Sequence, residues 1–457
     1  MKFKAEPLVI DANDPFASDA LKRKASVEAL TNFVSNLTGP FVLAIDAPWG
    51  TGKTTFVKMW QAHLASKRVA SLYFNSWQSD FSTDPLVAFV AEISDLMEKT
   101  QKEKGSYKPH LAKARKLATA LAKRALPTAL RLGSAGLIDL DELSEEVIGD
   151  AAATGISDAI DLYTAEKSLM EQFHERLNAT IQTLEESGHH PTLIVFIDEL
   201  DRCRPTYAIE LLERVKHLFN IENVIFVIAL DKEQLSVSLQ GVYGEGLNTS
   251  EYLRRFIDIE FNLPIADSNS FTNYLVSKFA FKEYFEQRQG DLRYDLNHFI
   301  ETFNSLSKIF DLSLRAREQC FTKIALALNS TPHDYHLYPE LLTTLTILSI
   351  KDNVTYRNFV FGSGVPANVL SSIRSRDGGD AFLQTREGMF IEAYLILSKL
   401  DSHYDTNAEL DAYEAQKEVT SNAKDMLDLI SHLRRRYRRI NLQYLSNKIE
   451  LAGQLVS

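Results

Sequence analysis

Residues Phe41–Thr55 read FVLAIDAPWGTGKTT, and they are followed by FVKMWQAHLASK, whose apolar residues recur at helical spacing. The order is a short apolar strand, a glycine-containing loop and a helix. The segment from Ala47 to Thr54 fits the phosphate-loop pattern GxxxxGK[ST] at every fixed position but the first, where Ala47 replaces glycine. In such a loop successive backbone N–H groups and the start of the following helix form a concavity for anions, and glycine is needed wherever a Cβ would block the approach of phosphate. Gly50 and Gly52 meet that need, while Ala47, Pro48, Trp49 and Thr51 complete the cradle. Lys53 is expected to reach the β- and γ-phosphates of a nucleotide, Thr54 to ligate Mg2+ through its hydroxyl, and Thr55 to lie on the α-phosphate side.

Working outward, VASLYFN (69–75) reads as a second strand, with a helix start marked by Ser82, Thr83, Asp84 and Pro85. TLIVFI (192–197) is a third strand running into DELDRCRP, followed by a helix from Tyr207 to Phe219. NVIFVIAL (223–230) is a fourth, ending at Asp231, and 257–261 a fifth, ending at Leu263-Pro264. Apolar β-branched runs alternating with helices predict an α/β fold: a parallel sheet covered on both faces, with ligands at the carboxyl ends of its strands. The third strand ends in Asp198 and Glu199. The first would hold Mg2+ through water, and the second would orient or deprotonate an attacking water, so hydrolysis is favoured over transfer to an acceptor. A guanine-selecting NKxD is absent, Asp231-Lys232 being only a partial echo, so ATP is the expected nucleotide.

Between the second and third strands lies a long helical stretch, 101–181. From Lys102 to Arg131 it has nine basic residues and one acidic; from Asp139 to Glu166 it has nine acidic and none basic. The halves suit either an antiparallel hairpin that neutralises itself or a basic face offered to something anionic. After Pro264 only helical patterns follow, and the last carries Arg434, Arg435, Arg436, Arg438 and Arg439, a candidate contact for nucleic acid, for an acidic partner or for an acidic face of the chain itself, with Tyr437 as its one interleaved aromatic. The resulting division is 1–100 and 182–265 for the two parts of the α/β core, 101–181 for the insertion, 266–345 for a helical lid and 346–457 for a C-terminal helical region.

The 457 residues are 45% hydrophobic and 24% charged, which excludes disordered and low-complexity classes. A net charge of −11 opposes general nucleic-acid coating, leaving only a local basic patch for that role. Cys203 and Cys320 stand far apart without a CxxC, so neither a disulfide framework nor a zinc site is expected, and the compartment reads as reducing. The opening MKFKAEPLVIDAND has no apolar core of a signal peptide. The best candidate span, 117–138, is interrupted by Lys123, Arg124 and Arg131, so the expectation is a cytoplasmic protein without a membrane span. His189-His190 in a GHHP turn reads as a polar strand entry rather than a metal site.

Taken together, WGTGKTT, the element Phe74-Asn75-Ser76-Trp77-Gln78, IDELDRCRP, ALDKEQL and YLRRFIDIEFNLP resemble the KAP family of P-loop NTPases over about residues 14–327. The family usually has glycine where Ala47 stands and often a second aspartate where Glu199 stands; the glutamate makes this copy look like a hydrolysing ATPase. The resemblance places Asp201 and Arg202 in the signature beyond Walker B, and Asn75 and Trp77 in an FNxW element of unassigned role, with Trp77 equally readable as core. It implies a sensor after the fourth strand and an arginine finger at Arg254 or Arg255, reaching a neighbouring subunit's γ-phosphate unless it merely pairs with Glu251. It also implies a lid arginine at Arg315, with Arg317 as substitute, and an N-terminal segment around Asp14-Pro15 and Arg23-Lys24 leading toward the base. The functional expectation is a Mg2+-dependent ATPase coupling ATP binding and hydrolysis to homo-oligomerisation or to separately encoded effector proteins, in a bacterial antiphage or mobile-element system. Rival readings are a nucleotide-gated scaffold without turnover, a nucleic-acid-translocating ATPase and, more distantly, a small-molecule kinase.

Overall fold

The computed structural model describes residues 9–37, 39–81, 85–100, 105–125, 159–218, 221–264, 267–288, 295–332, 335–336, 338–400, 407–416, 421–436 and 440–454. The chain divides into two compact units, Leu8–Pro264 and Ile265–Ser457.

The first unit is an α/β layer structure around five parallel strands: β1 (Phe41–Asp46), β2 (Ala70–Asn75), β3 (Leu193–Asp198), β4 (Val224–Leu230) and β5 (Ile259–Asn262). Their spatial order is β2-β3-β4-β1-β5, with every pairing parallel. β3 and β4 are buried throughout because they are flanked on both edges and covered on both faces. β2 and β5 are the edges; β2 alternates buried and half-buried residues, and β5 is largely exposed, which is why its sequence tolerates Glu260.

Side chains alternate between faces along each strand, so the sheet sorts its apolar residues into two cores. One face sets Leu43, Ile45, Ile194, Phe196, Ile225 and Val227 against Val27 and Val34 of the helix Lys24–Ser35 and Phe56, Trp60 and Leu64 of the helix Lys53–Ser66. The other sets Leu72, Phe74, Val195, Ile197, Phe226 and Ile228 against the helices Pro85–Thr100 and Pro205–Leu218. Trp60 is sealed between Phe56 and Phe196, and its indole N–H donates to Thr31 Oγ1 at 3.0 Å.

The described parts of the insertion are a short turn, Gly105–Tyr107, and the helices Lys108–Ala125 and Ala159–Glu186, the second running past the insertion's end. Ser106 Oγ donates to Glu186, joining the approach to the first helix to the end of the second, so they run antiparallel. Their seam is apolar: Leu111, Ala114, Leu117 and Leu121 meet Leu169, Phe173, Leu177 and Ile181 within the core of the second sheet face. The remainder of the insertion, including most of its acidic half, lies outside the described residues, as do Ser82–Asp84, Phe219, Tyr437, Arg438 and Arg439. Among the described residues no helix is long and apolar enough to cross a membrane.

The second unit is helical throughout its described residues. Its core gathers Phe281, Phe299 and Phe303 around Phe321 at centroid distances of 4.9–5.3 Å. Buried Arg317 ties Ser268 Oγ (2.7 Å) to the Leu312 carbonyl (3.1 Å), fixing the start of the helix Ser268–Lys278 against the helix Leu314–Asn329. A second polar joint pairs His298 Nδ1 with Glu340 Oε1 at 3.1 Å. The Glu340 hydrogen bond raises the His298 pKa above 6.5 against the opposing effect of burial, with Arg386 lowering and Asp295 raising it further. An imidazole whose folded pKa is raised stabilises the fold fully below its unfolded value and loses that contribution as pH rises through the folded one. The urea midpoint should therefore fall between about pH 6 and about pH 8, and His298→Gln should flatten that slope.

Candidate functional site

The phosphate loop leaves β1 at Asp46. Ala47 N–H donates to the Leu230 carbonyl at 3.2 Å, tying the loop to the end of the neighbouring strand. Ala47 itself is buried in the core beneath the loop and needs no left-handed backbone, so the missing glycine costs the loop nothing. Gly50 and Gly52 do require it, with φ of 80° and 87°. The first intrahelical bond is Phe56 N–H to the Gly52 carbonyl at 3.0 Å, which leaves the N–H groups of Lys53, Thr54 and Thr55 without intrahelical acceptors at the positive end of the helix.

Lys53 Nζ bends back over the loop and donates to the carbonyls of Ala47 (2.5 Å) and Pro48 (3.3 Å). Burial lowers its pKa, while Asp201, Asp231, Asp198 and Asp46 oppose that shift. Burial in turn raises the Asp201 carboxyl, with the Trp49 indole and Lys53 opposing. These groups form a lattice: Trp49 donates its backbone N–H to Asp231 Oδ2 at 3.0 Å and its indole N–H to Asp201 Oδ2, which also accepts Asp231 N–H at 3.2 Å. The signature aspartate and the residue after β4 thus hold the tip of the phosphate loop.

Asp198 ends β3 and is only 1% exposed. Its Oδ1 accepts Glu199 N–H at 2.9 Å and its Oδ2 accepts the Tyr73 hydroxyl at 2.9 Å. Burial and the Asp198 charge raise the Tyr73 pKa, which keeps its hydroxyl a donor. Adjacent strand residues normally point to opposite faces; Glu199 escapes this because its backbone turns left-handed, with φ 63° and ψ 25°. Glu199 Oε1 pairs with Arg202 Nη1 at 2.7 Å, and Oε2 accepts from Asn75 Nδ2 at 3.2 Å. Asn75 is therefore the partner of the candidate water base. Trp77 is not core: it is 55% exposed, with the Arg202 guanidinium 5.8 Å from its ring centre.

From the N-terminal side, Arg23 Nη2 donates to the Thr51 carbonyl at 2.8 Å and Nη1 to the Gly52 carbonyl at 3.3 Å, bracing the loop from behind. Burial lowers its pKa to about 10, with Asp19 opposing. The donor set suits a nucleotide and its cation: outward N–H groups and an ammonium for phosphates, a buried carboxylate and the Thr54 hydroxyl for Mg2+.

The structure brings Ala47–Thr55, Asp198 and Glu199 together and adds Asp201, Asp231, Tyr73, Asn75 and Arg23. Arg254 and Arg255, in the same unit, have other partners. Arg254 is exposed and pairs with Glu251 at 2.6 Å, and exposed Arg255 lies over Tyr252. Arg315 is exposed in the first turn of the helix Leu314–Asn329, whereas Arg317 is buried. Arg434, Arg435 and Arg436 are exposed at the end of the helix Ser421–Arg436, which is not the last as the sequence suggests, because the helix Leu442–Gln454 follows it. His190 Nδ1 accepts Thr192 N–H at 3.3 Å, a strand-entry contact. Tyr73 escapes notice in the sequence because only its two-residue offset from Asn75 hints at a shared face.

Residues 23–326 match the KAP family P-loop domain. No curated protein matches the chain. Among solved structures, Cdc6p from Pyrobaculum aerophilum is similar at 12% identity with a TM-score of 0.31, covering 99% of this chain and 96% of that one. The Aeropyrum pernix ORC2 protein in ADPNP–ADP complexes is similar at 13% identity and 0.29, covering 90% and 94%. Drosophila ORC bound to DNA is similar at 13% and 0.29, covering 95% of each chain.

Proposed function

The chain belongs to the KAP family of P-loop domains, and from that membership we propose that it is a Mg2+-dependent ATPase that uses ATP binding and hydrolysis to drive oligomerisation or partner engagement. The observation that carries this reading is the convergence of Lys53, Asp198 and Glu199 at the carboxyl ends of β1 and β3. Bound Mg2+–ATP supplies the phosphoanhydride and the cation that neutralises its charge. The loop N–H groups and Lys53 hold the phosphates, Asp198 and Thr54 face the cation, and Glu199 takes a proton from the attacking water once freed from Arg202. Arg255 or Arg254 of a second copy then completes the charge balance, and Arg315 reads the nucleotide from the helical region. Its biological setting is a bacterial antiphage or mobile-element system with separately encoded effectors, a reading supported by family membership.

One observation favours a second reading. Both Glu199 oxygens are engaged, by Arg202 and Asn75, as in a nucleotide-gated scaffold held without turnover. Steady-state hydrolysis over a range of protein concentrations separates the two. Turnover per protomer should rise with concentration, and Arg255→Ala should lower it by about 10³ while ATP still binds. ATP bound without hydrolysis at any concentration would put the scaffold in its place.

A further inference from the structure

The half-buried face of β2 presents Tyr73 and Asn75, two residues apart and therefore on one side of the strand. In the β2–β3 register Asn75 stands opposite Asp198 and Tyr73 opposite Phe196. Asn75 nevertheless sends its amide to Glu199, whose left-handed turn has swung it to this side. The carboxylate directly across from Asn75 is left to Tyr73, whose ring is long enough to span the diagonal and whose hydroxyl donates to Asp198 Oδ2 at 2.9 Å. The edge strand thus assigns one donor to each acid. Lys58, on the helix that follows the phosphate loop, lies 5.7 Å from the centre of the Tyr73 ring.

We propose that Tyr73 is a positioning residue for Mg2+: its hydroxyl fixes the plane of the Asp198 carboxylate so that the remaining lone pairs face the cation's water shell. This rests on the nucleotide reading above and adds a division of labour to it. Tyr73 governs how readily the cation is recruited, and Asn75 governs the water base. Without the hydroxyl, Asp198 keeps only the Glu199 N–H and can rotate, so the cation meets a less ordered acceptor, while the phosphate cradle, built by other residues, is untouched.

The test is isothermal titration of ATP into the full chain, in EDTA and at a series of Mg2+ concentrations, for wild type, Tyr73→Phe and Lys58→Gln. In EDTA all three should bind ATP within about twofold of one another, because the Tyr73 hydroxyl is given to Asp198 and not to the loop. The Mg2+ concentration giving half of the gain in ATP affinity should rise about tenfold in Tyr73→Phe, the effect of one hydrogen bond to a charged group. It should stay in place in Lys58→Gln, which keeps the hydroxyl and loses only the cation over the ring. A Tyr73→Phe curve that superimposes on wild type overturns the proposal, as does an equal shift in Lys58→Gln, which would assign the effect to ring packing. An equal loss of affinity in EDTA and in Mg2+ overturns it too, because Tyr73 would then support the fold of the site. Wild type failing to bind ATP at all would remove the nucleotide reading itself, and this inference with it.

Discussion

Glu199→Gln is expected to bind Mg2+–ATP as tightly as wild type and to hydrolyse it about 10²–10⁴-fold more slowly, the range over which a positioned general base acts. The substitution keeps the shape of the side chain and an oxygen that can accept from Asn75, so the left-handed turn and the Asp198 contact survive. What it removes is the negative charge that pairs with Arg202 at 2.7 Å and the capacity to take a proton from water. Single-turnover hydrolysis beside calorimetric binding separates the two effects. Hydrolysis within tenfold of wild type would show that another group activates the water, and the reading of Glu199 would have to be given up.

Lys53→Ala is expected to abolish measurable nucleotide binding, a loss of about 10²–10³ in affinity if one partner of a partly buried charged cluster is deleted. Lys53 is the cation set against Asp46, Asp198, Asp201 and Asp231, and its ammonium also satisfies the carbonyls of Ala47 and Pro48. Without it the loop would offer a triphosphate four uncompensated carboxylates. Titration with ATP in EDTA isolates this effect from the cation, since Asp198 is otherwise neutralised only by bound metal. A fall of less than tenfold would mean that the N–H groups of Lys53, Thr54 and Thr55 suffice for the phosphates.

Most of the α/β core could be read directly from the chain because its signals are local. Five apolar runs, the glycines of the loop and the acids at the end of β3 each carry meaning within a few residues, and the structure finds those strands with boundaries moved by one or two positions. The contacts that tune the site depend on register and on distant segments. That Asn75 serves Glu199 follows only once β2 lies beside β3 and Glu199 turns left-handed. Arg23 reaches the loop from 28 residues upstream of Thr51, which no spacing pattern encodes. The charge division of the insertion was the most conspicuous feature of that stretch, yet the described seam between its helices is apolar, because helices docked on a sheet are held by what they bury. Trp77, equally readable in the sequence as core or as part of the FNxW element, is turned out toward Arg202 by the short helix Ser76–Ser79.

The distribution of the three tryptophans makes the protein its own spectroscopic instrument. Trp60 is sealed in the core, so its emission is a constant background. Trp49, 44% exposed, rests its indole on Asp201 at the tip of the phosphate loop, and Trp77 lies under the guanidinium that pairs with Glu199. Light absorbed by this chain is therefore reported back from the two places where a bound phosphate and a released carboxylate would first be felt, with no dye attached.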